Sequence, residues 1–590
     1  MSSKCLEISV TLFFITLNII SKETITITAD ILETVKNHEG SLGNIEKFKD
    51  NVRITTNGIM VTSKFAQREN KNNTDLFKIY DTVKVEKPDE GIAITAERID
   101  IIAGKDDITI SDNIYCKRDD IVFTSDVCEY NLKTNVVKYS SGGQFIKTSG
   151  NITVRSLHGE ADLKTTDFIL FDAVEVSTED FLIHCDKIEY KKSDDVLTAT
   201  GSIKIDIKKH KDDFITTSEQ LVYKPTGKTL VVNKGLYHAP TYLLAANTLL
   251  YNQFHEQLFL NDGFEMILKN QLRFTCDMAS YDIKQRHGEI YGNTVLYDMN
   301  STAQRYLYLC ADRFSFDFTT YKDSNEDFNN DDLDTMQLDS FTIEEVNDDI
   351  TTSLPQENIK EKPPTTAVVQ NITDNKDTIV IEGKGNVQFC SNSLQGCSDT
   401  IKFVNNKILL PNKTIIWNDT NMLIGEDVRM ILSDGNISKV NILKDPLFVN
   451  ADNLGFYNQV SADMMTANVK NNNVSKALFK ANVDTFYFVV REKKLTGVNR
   501  LRCSRFLLLF DKEKLKKIYF NDKIYGNFYF PDYASKNKAK LLLDRFLAEG
   551  DLIKATTAPD VKTISSKVKT ISLISDKDKK EFFKDSSKSI

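Results

Sequence analysis

The segments Phe274-Thr275-Cys276-Asp277 and Gly292-Asn293-Thr294-Val295-Leu296 carry the pattern from which the architecture of this chain can be worked out. The first is a cassette of apolar, Thr, small and acidic residues. It recurs as Ile27-Thr28-Ala29-Asp30, Val61-Thr62-Ser63-Lys64, Ile94-Thr95-Ala96-Glu97, Phe123-Thr124-Ser125-Asp126 and Ile183-His184-Cys185-Asp186. Thr216-Thr217-Ser218-Glu219, Leu244-Ala245-Ala246-Asn247 and Leu309-Cys310-Ala311-Asp312 are further copies, and Val154-Arg155-Ser156 is a degraded one. Successive copies end 28 to 35 residues apart. A period of that size means one supersecondary unit stacked on the next.

The columns of the repeat say what the unit is. Alternation before the acidic slot marks a strand with one buried face. The small column of Ala29, Ser63, Ala96, Ser125, Cys185, Ser218, Ala246, Cys276 and Ala311 is expected to be buried where walls approach closely. After the acidic slot the apolar positions change parity, to Leu32, Ile99, Ile188, Leu221, Leu249 and Phe314, with a Tyr or Phe two residues on. A parity flip inside a strand requires a bulge or corner. A return strand follows, often opened by Gly or Asn, as in Gly201-Ser202-Ile203-Lys204-Ile205. The expectation is an all-β, elongated stacked-hairpin solenoid, bent at each corner.

The 590 residues therefore lengthen one body instead of building several cores. A net charge of -9, with acids and bases mixed along the strands, argues against a nucleic-acid partner. Lys4 precedes the uncharged run Ile8 to Ile20, too short for the roughly 20 residues of a spanning helix, and it reads as a signal peptide over residues 1–22. The nine cysteines are scattered. Cys390 and Cys397 are the one pair close enough to suggest a hairpin disulfide, whereas Cys185, Cys276 and Cys310 read as small buried hydrophobes.

Repeats are expected over 23–320 and 377–533. Between them, residues 321–376 are acidic and Pro-punctuated without strand period, as in Asp323 to Asp334, and read as a disordered insertion in one hairpin turn. Residues 534–590 read as a short helix, Lys540 to Phe546, and a disordered Lys/Ser-rich tail.

Ala29-Asp30, Ala311-Asp312 and Gly385-Asn386-Val387 resemble the paired "A-D" and "G-N-V" strands of OstA/LptA-type lipopolysaccharide-transport proteins. Lys64, Asn247 and the Arg155 region depart from that pattern. Leu394 to Asp399, Ile416 to Asp419, Gly497 to Arg500, Cys503-Ser504 and Tyr529-Phe530-Pro531 are similar to the long OstA-like proteins of Bacteroidota, so the resemblance spans residues 24 to 533. It implies a β-taco or β-jellyroll in the periplasm, bridging to the outer membrane. Its partners would be lipopolysaccharide, through its lipid A acyl chains, and other transport proteins that pair with it strand edge to strand edge at both membranes.

The lining of such a groove falls on the apolar columns: Ile94, Phe123, Ile183, Leu244, Phe274 and Leu309, with Tyr190, Tyr223, Tyr251 and Tyr281. The acidic column, Asp30 to Asp312, supplies one carboxylate per turn, unlike metal loops that supply several; it is expected to face solvent and accept backbone N–H groups. His184, in a usual Thr position, is expected to be exposed. No nucleophile elbow, Cys/His site or phosphate loop is present, so neither enzyme nor cofactor is expected. A structural or adhesive scaffold without lipid is the alternative, because a filled interior gives the same periodicity.

Overall fold

The computed structural model describes residues 15–18, 24–35, 45–56, 58–71, 74–269, 272–299, 307–319, 378–391, 394–404, 406–418, 421–433, 436–451, 455–470, 473–511, 514–550, 558–560, 562–563 and 572–585. Their strands, 38 in all, form one continuous antiparallel sheet, elongated because each hairpin pairs with the next. Strand Ile92–Ile102 shows how one unit works. Ile92, Ile94 and Ala96 are buried, then Ile99 and Ile101, so the inward face changes parity at Glu97-Arg98. Its partner Asp107–Arg118 buries Ile108 and Ile110, then Ile114 and Cys116.

Each bend is built from two kinds of corner. In the return strands, pairs of consecutive residues adopt left-handed backbone: Asp50 and Asn51, Asp81 and Thr82, Asp112 and Asn113, Ala481 and Asn482. Asp and Asn tolerate that region better than other side chains. The ladder slips at the same places, between Lys49 and Val52, Tyr80 and Val83, and Ser111 and Ile114. In the cassette strands the acidic residue occupies the corner. Every hairpin thus folds into a V, and the stack has two walls. A cassette wall holds the residues before the acidic slot, and a tyrosine wall holds those after it.

The acidic column reaches across to the neighbouring corner. Asn51 Nδ2 donates to Asp30 at 2.6 Å, Asn293 to Asp277 at 2.8 Å, Asn386 to Asp312 at 2.9 Å and Asn482 to Asp463 at 2.8 Å. Several of the acceptors expected for backbone N–H groups serve Asn side-chain amides instead, while Ser202 N to Asp186, at 2.9 Å, is of the backbone kind. Glycine at the preceding position is doubly required. Gly292 has φ +72°, and a Cβ there would lie 2.7 Å from Asp277 Oδ2.

Two expectations about register need correction. Ser218 is exposed and Thr217 takes its place in the small buried column, because one extra residue separates that slot from Leu221. Thr275 is buried although its parity points outward, for a reason given below.

Thr319 faces Thr378, so the strands Leu307–Thr319 and Thr378–Ser391 form one hairpin, with the expected insertion 321–376 lying outside the described residues. Of the Ile8 to Ile20 run, only the strand Ile15–Asn18 is described, antiparallel to Thr24–Thr28. No helix among the described residues is long and apolar enough to cross a membrane.

After the last strand the chain turns back along the outer face of the cassette wall. Helices Pro531–Lys536 and Asp544–Ala548 bring Ala534, Leu541, Leu543 and Phe546 onto Ile415, Trp417, Phe486, Phe488 and Val498. Further along, the Cys390 thiol meets the Pro559 carbonyl. Ile574, with Leu573, Phe582 and Phe583, then packs on Leu236, Leu243, Ala245 and Ile267. The residues 572–585, expected to be a disordered tail, form a docked strap ending in the helix Asp576–Asp585. That strap is why Thr275, Glu265 and their neighbours are buried.

Candidate functional site: the interior between the walls

All ten residues proposed to line a groove point between the walls. None is more than 4% exposed, and all belong to one continuous apolar core running from Ile25 to Leu508. Ile94, Phe123, Ile183, Leu244, Phe274 and Leu309 come from the cassette wall, and Tyr190, Tyr223, Tyr251 and Tyr281 from the facing one. The alternation thus places the set on the inner faces, spread along the stack rather than gathered at one point.

Aromatic rings close the space between the walls. Phe123 and Tyr139 face each other at 5.5 Å, Phe145 and Phe168 at 4.8 Å, Phe181 and Tyr251 at 5.6 Å, and Phe274 and Phe314 at 5.6 Å. Tyr242 stacks on Phe318 at 4.2 Å, and its hydroxyl lies 2.6 Å from that of Tyr281. Offset and edge-on pairs of this kind contribute about 0.5–1.5 kcal/mol each beyond area burial. At these rungs side chains, rather than an open channel, fill the interior. Burial pushes the hydroxyls of Tyr223, Tyr251 and Tyr281 up to about 12, so they stay neutral hydrogen-bonding groups.

The mouth of the V, opposite the corners, is bridged by polar groups. Lys87 Nζ, on the tip of the cassette wall, donates to the Leu132 carbonyl at 3.1 Å and Asn135 Oδ1 at 2.9 Å on the tyrosine wall. Arg118 donates to the Leu163 carbonyl. Lys147 reaches Asp195 at 2.7 Å and the Tyr190 hydroxyl at 3.1 Å, and Lys209 reaches Glu256 at 3.0 Å. Burial works against the Lys147 charge, but the bonds to Asp195 and Tyr190 outweigh it and hold its pKa above the usual lysine value. Burial works against the Asp195 charge, but the bonds from Lys147, Thr226 and Tyr190 together outweigh it and hold that carboxyl below its ordinary range. Sequence reasoning missed these cations. Their signal is positional, a base at the strand end one repeat after another.

On the outer wall, Glu265 was also missed. It is 1% exposed, lies 2.7 Å from Arg273 Nε, and accepts from Ser572 Oγ at 2.8 Å, Leu573 N at 2.6 Å and Ile574 N at 3.2 Å. The clue was the loss of alternation in Leu243-Leu244-Ala245-Ala246 and Met266-Ile267-Leu268, which buries both faces of the wall.

The disulfide expected between Cys390 and Cys397 is absent: both thiols are free. Cys390 faces Gln395 and Cys397 faces Gln388, so the two are offset diagonally along the ladder. Each is drawn into a different cluster, Cys390 with Val295 and Cys310, and Cys397 beside Ile415 and Trp417. His184 is exposed, 4.0 Å from Asp206. No group of three or more His, Cys, Asp or Glu positioned to hold a metal occurs among the described residues.

A stacked, cornered hairpin solenoid with an apolar interior defines the structural class. Within it, residues 22–186 match the family model described as OstA-like protein, which supports an OstA-like assignment. That match covers the first six cassettes, the degraded one included, and stops short of the C-terminal segments. No curated protein matches the chain.

Proposed function

We propose that this protein is a non-enzymatic periplasmic carrier that holds the acyl chains of a multi-acyl lipid, most simply lipopolysaccharide, between its walls, and so bridges toward the outer membrane. The observation that carries this reading is the OstA-like match placed on a solenoid whose two walls present one unbroken apolar face. Burial of acyl chains there is worth about 0.8 kcal/mol per CH₂, so several chains can be held without a specific polar contact. Because rings fill the interior, loading requires the walls to part or the rings to swing aside. Partners are read from the ends. Lys514–Asn521 and Tyr525–Tyr529 each pair only with Lys494–Asp511 among the described residues, and Tyr525, Phe528 and Phe530 beside them are exposed. Such edges accept a strand from another chain.

A photo-crosslinking amino acid at Phe123, Ile183 or Phe274 is expected to capture lipopolysaccharide in cells, and one at the outward Thr124 is not. Thr275 cannot serve as a second outward control, because the strap buries it. Equal labelling inside and outside, or no lipid adduct in a host that makes lipopolysaccharide, overturns the proposal. The packed rings favour the second reading, a structural scaffold without lipid, and that outcome would establish it.

A further inference from the structure

The four mouth cations are not scattered. Lys87, Arg118 and Lys147 stand one repeat apart on the tips of the cassette wall, and Lys209 follows two repeats on. They form a row along the mouth, where the headgroup of a lipid would lie if its chains sat between the walls. We propose that this row is a headgroup-binding rail for phosphorylated multi-acyl lipids, in which Lys87, Arg118, Lys147 and Lys209 exchange their acceptors on the tyrosine wall for phosphate oxygens as the lipid enters. The inference rests on the carrier reading and adds what that reading lacks, a determinant for the polar end of the ligand.

Three observations support it. Lys87 and Lys147 are partly buried at the lip of the mouth, at 12% and 21% side-chain exposure, so they belong to the walls, whereas Lys209, at 52%, stands more in solvent. Their present partners are carbonyls, an amide, a hydroxyl and carboxylates, the oxygen acceptors that phosphate can replace one for one. Charge-assisted bonds to phosphate are the stronger kind, and Arg is suited to hold two oxygens at once. The exchange therefore leaves no cation unpaired while the walls move apart. Beyond Lys209 lies a cavity of about 350 Å³ whose lining includes Lys211, Lys284 and Arg286 together with Asp212 and Asp213. The Asp213 carboxylate already accepts from the Tyr237 hydroxyl at 2.5 Å.

The test uses the full chain and three probes: a hexa-acyl lipid A bearing two phosphates, the same lipid dephosphorylated, and inorganic phosphate. Isothermal titration is expected to give at least tenfold tighter binding of the bisphosphorylated lipid, and K87Q/R118Q/K147Q/K209Q is expected to bring the two lipids within twofold of each other. If that variant fails to fold by circular dichroism, K87Q and K147Q singly should each cut the preference at least threefold, and K147R should restore it. A preference that survives these substitutions overturns the rail. So does inorganic phosphate binding as tightly as the lipid, which would make this a free-anion site. Equal binding of both lipids by the wild type overturns the rail and leaves the carrier standing, whereas binding of neither overturns both.

Discussion

Asn293 donates its side-chain amide to Asp277 at 2.8 Å, joining two successive strands at their corners. The bond recurs at Asp30, Asp312 and Asp463, so the acidic slot and the Asn of the next strand are two halves of one device. Asp277→Ala removes the acceptor at an exposed corner and is expected to cost about 1 kcal/mol. Gly292→Ala meets both a left-handed backbone and the Asp277 carboxylate, and is expected to cost about 1–2 kcal/mol. Urea unfolding of the two variants checks the order. Gly292→Ala should be the more damaging.

The cross-wall rings give a larger effect. Phe274 is fully buried against Phe314, and Phe274→Ala should destabilise by about 3–5 kcal/mol through lost transfer energy and the cavity left behind. Tyr242→Phe keeps the stacking on Phe318 but removes the hydroxyl beside Tyr281, at an expected cost of about 1 kcal/mol. Thermal unfolding checks both. A Phe274→Ala effect under 1 kcal/mol would mean that the interior collapses or admits water easily.

How much of this could be read in advance depended on whether the signal was local. The parity flip at Glu97-Arg98 is written in the order of residues, so corners and walls were legible. The partner of the acid lay in the next strand, and although Asn recurs there, the pairing needed the register to be seen. Alternation cannot distinguish an interior filled by Phe123 and Tyr139 from an open one, since both bury the same column. The strap was hidden for a different reason. A Lys/Ser-rich segment with few apolar residues has too little to bury alone, and only the complementary surface of Leu243, Ala245 and Ile267 makes Leu573 and Ile574 enough.

His238 supplies a pH dependence. Its ring stacks on Phe214 at 4.2 Å, and burial lowers its pKa from the usual 6.5 to about 4. A depressed folded pKa means the fold favours the neutral ring, so its contribution is fully present above about pH 6.5 and is lost as pH falls toward 4. Stability should therefore decline across that window, and His238→Phe should flatten part of the decline. Urea midpoints measured from pH 7.5 to 4.5 for both proteins give the comparison, and parallel curves would remove His238 from the account.

The strap predicts how the two repeat blocks behave when the chain is cut. Leu236 to Ile267 lie before residues 321–376 and Ile415 to Val498 lie after them, yet the C-terminal chain packs on both. The hairpin from Leu307–Thr319 to Thr378–Ser391 joins the blocks a second time through its ladder. A protease site engineered into 321–376 should therefore give two fragments that stay together on a native sizing column, with β content unchanged. Glu265→Ala leaves Arg273 buried without its carboxylate and removes the acceptor for Leu573 and Ile574, so it should release the strap at a cost of about 3 kcal/mol. Faster hydrogen exchange confined to residues 572–585 and the wall beneath is the expected signature. Fragments that separate in the wild-type background would instead mean that neither the ladder nor the strap holds the blocks in one body.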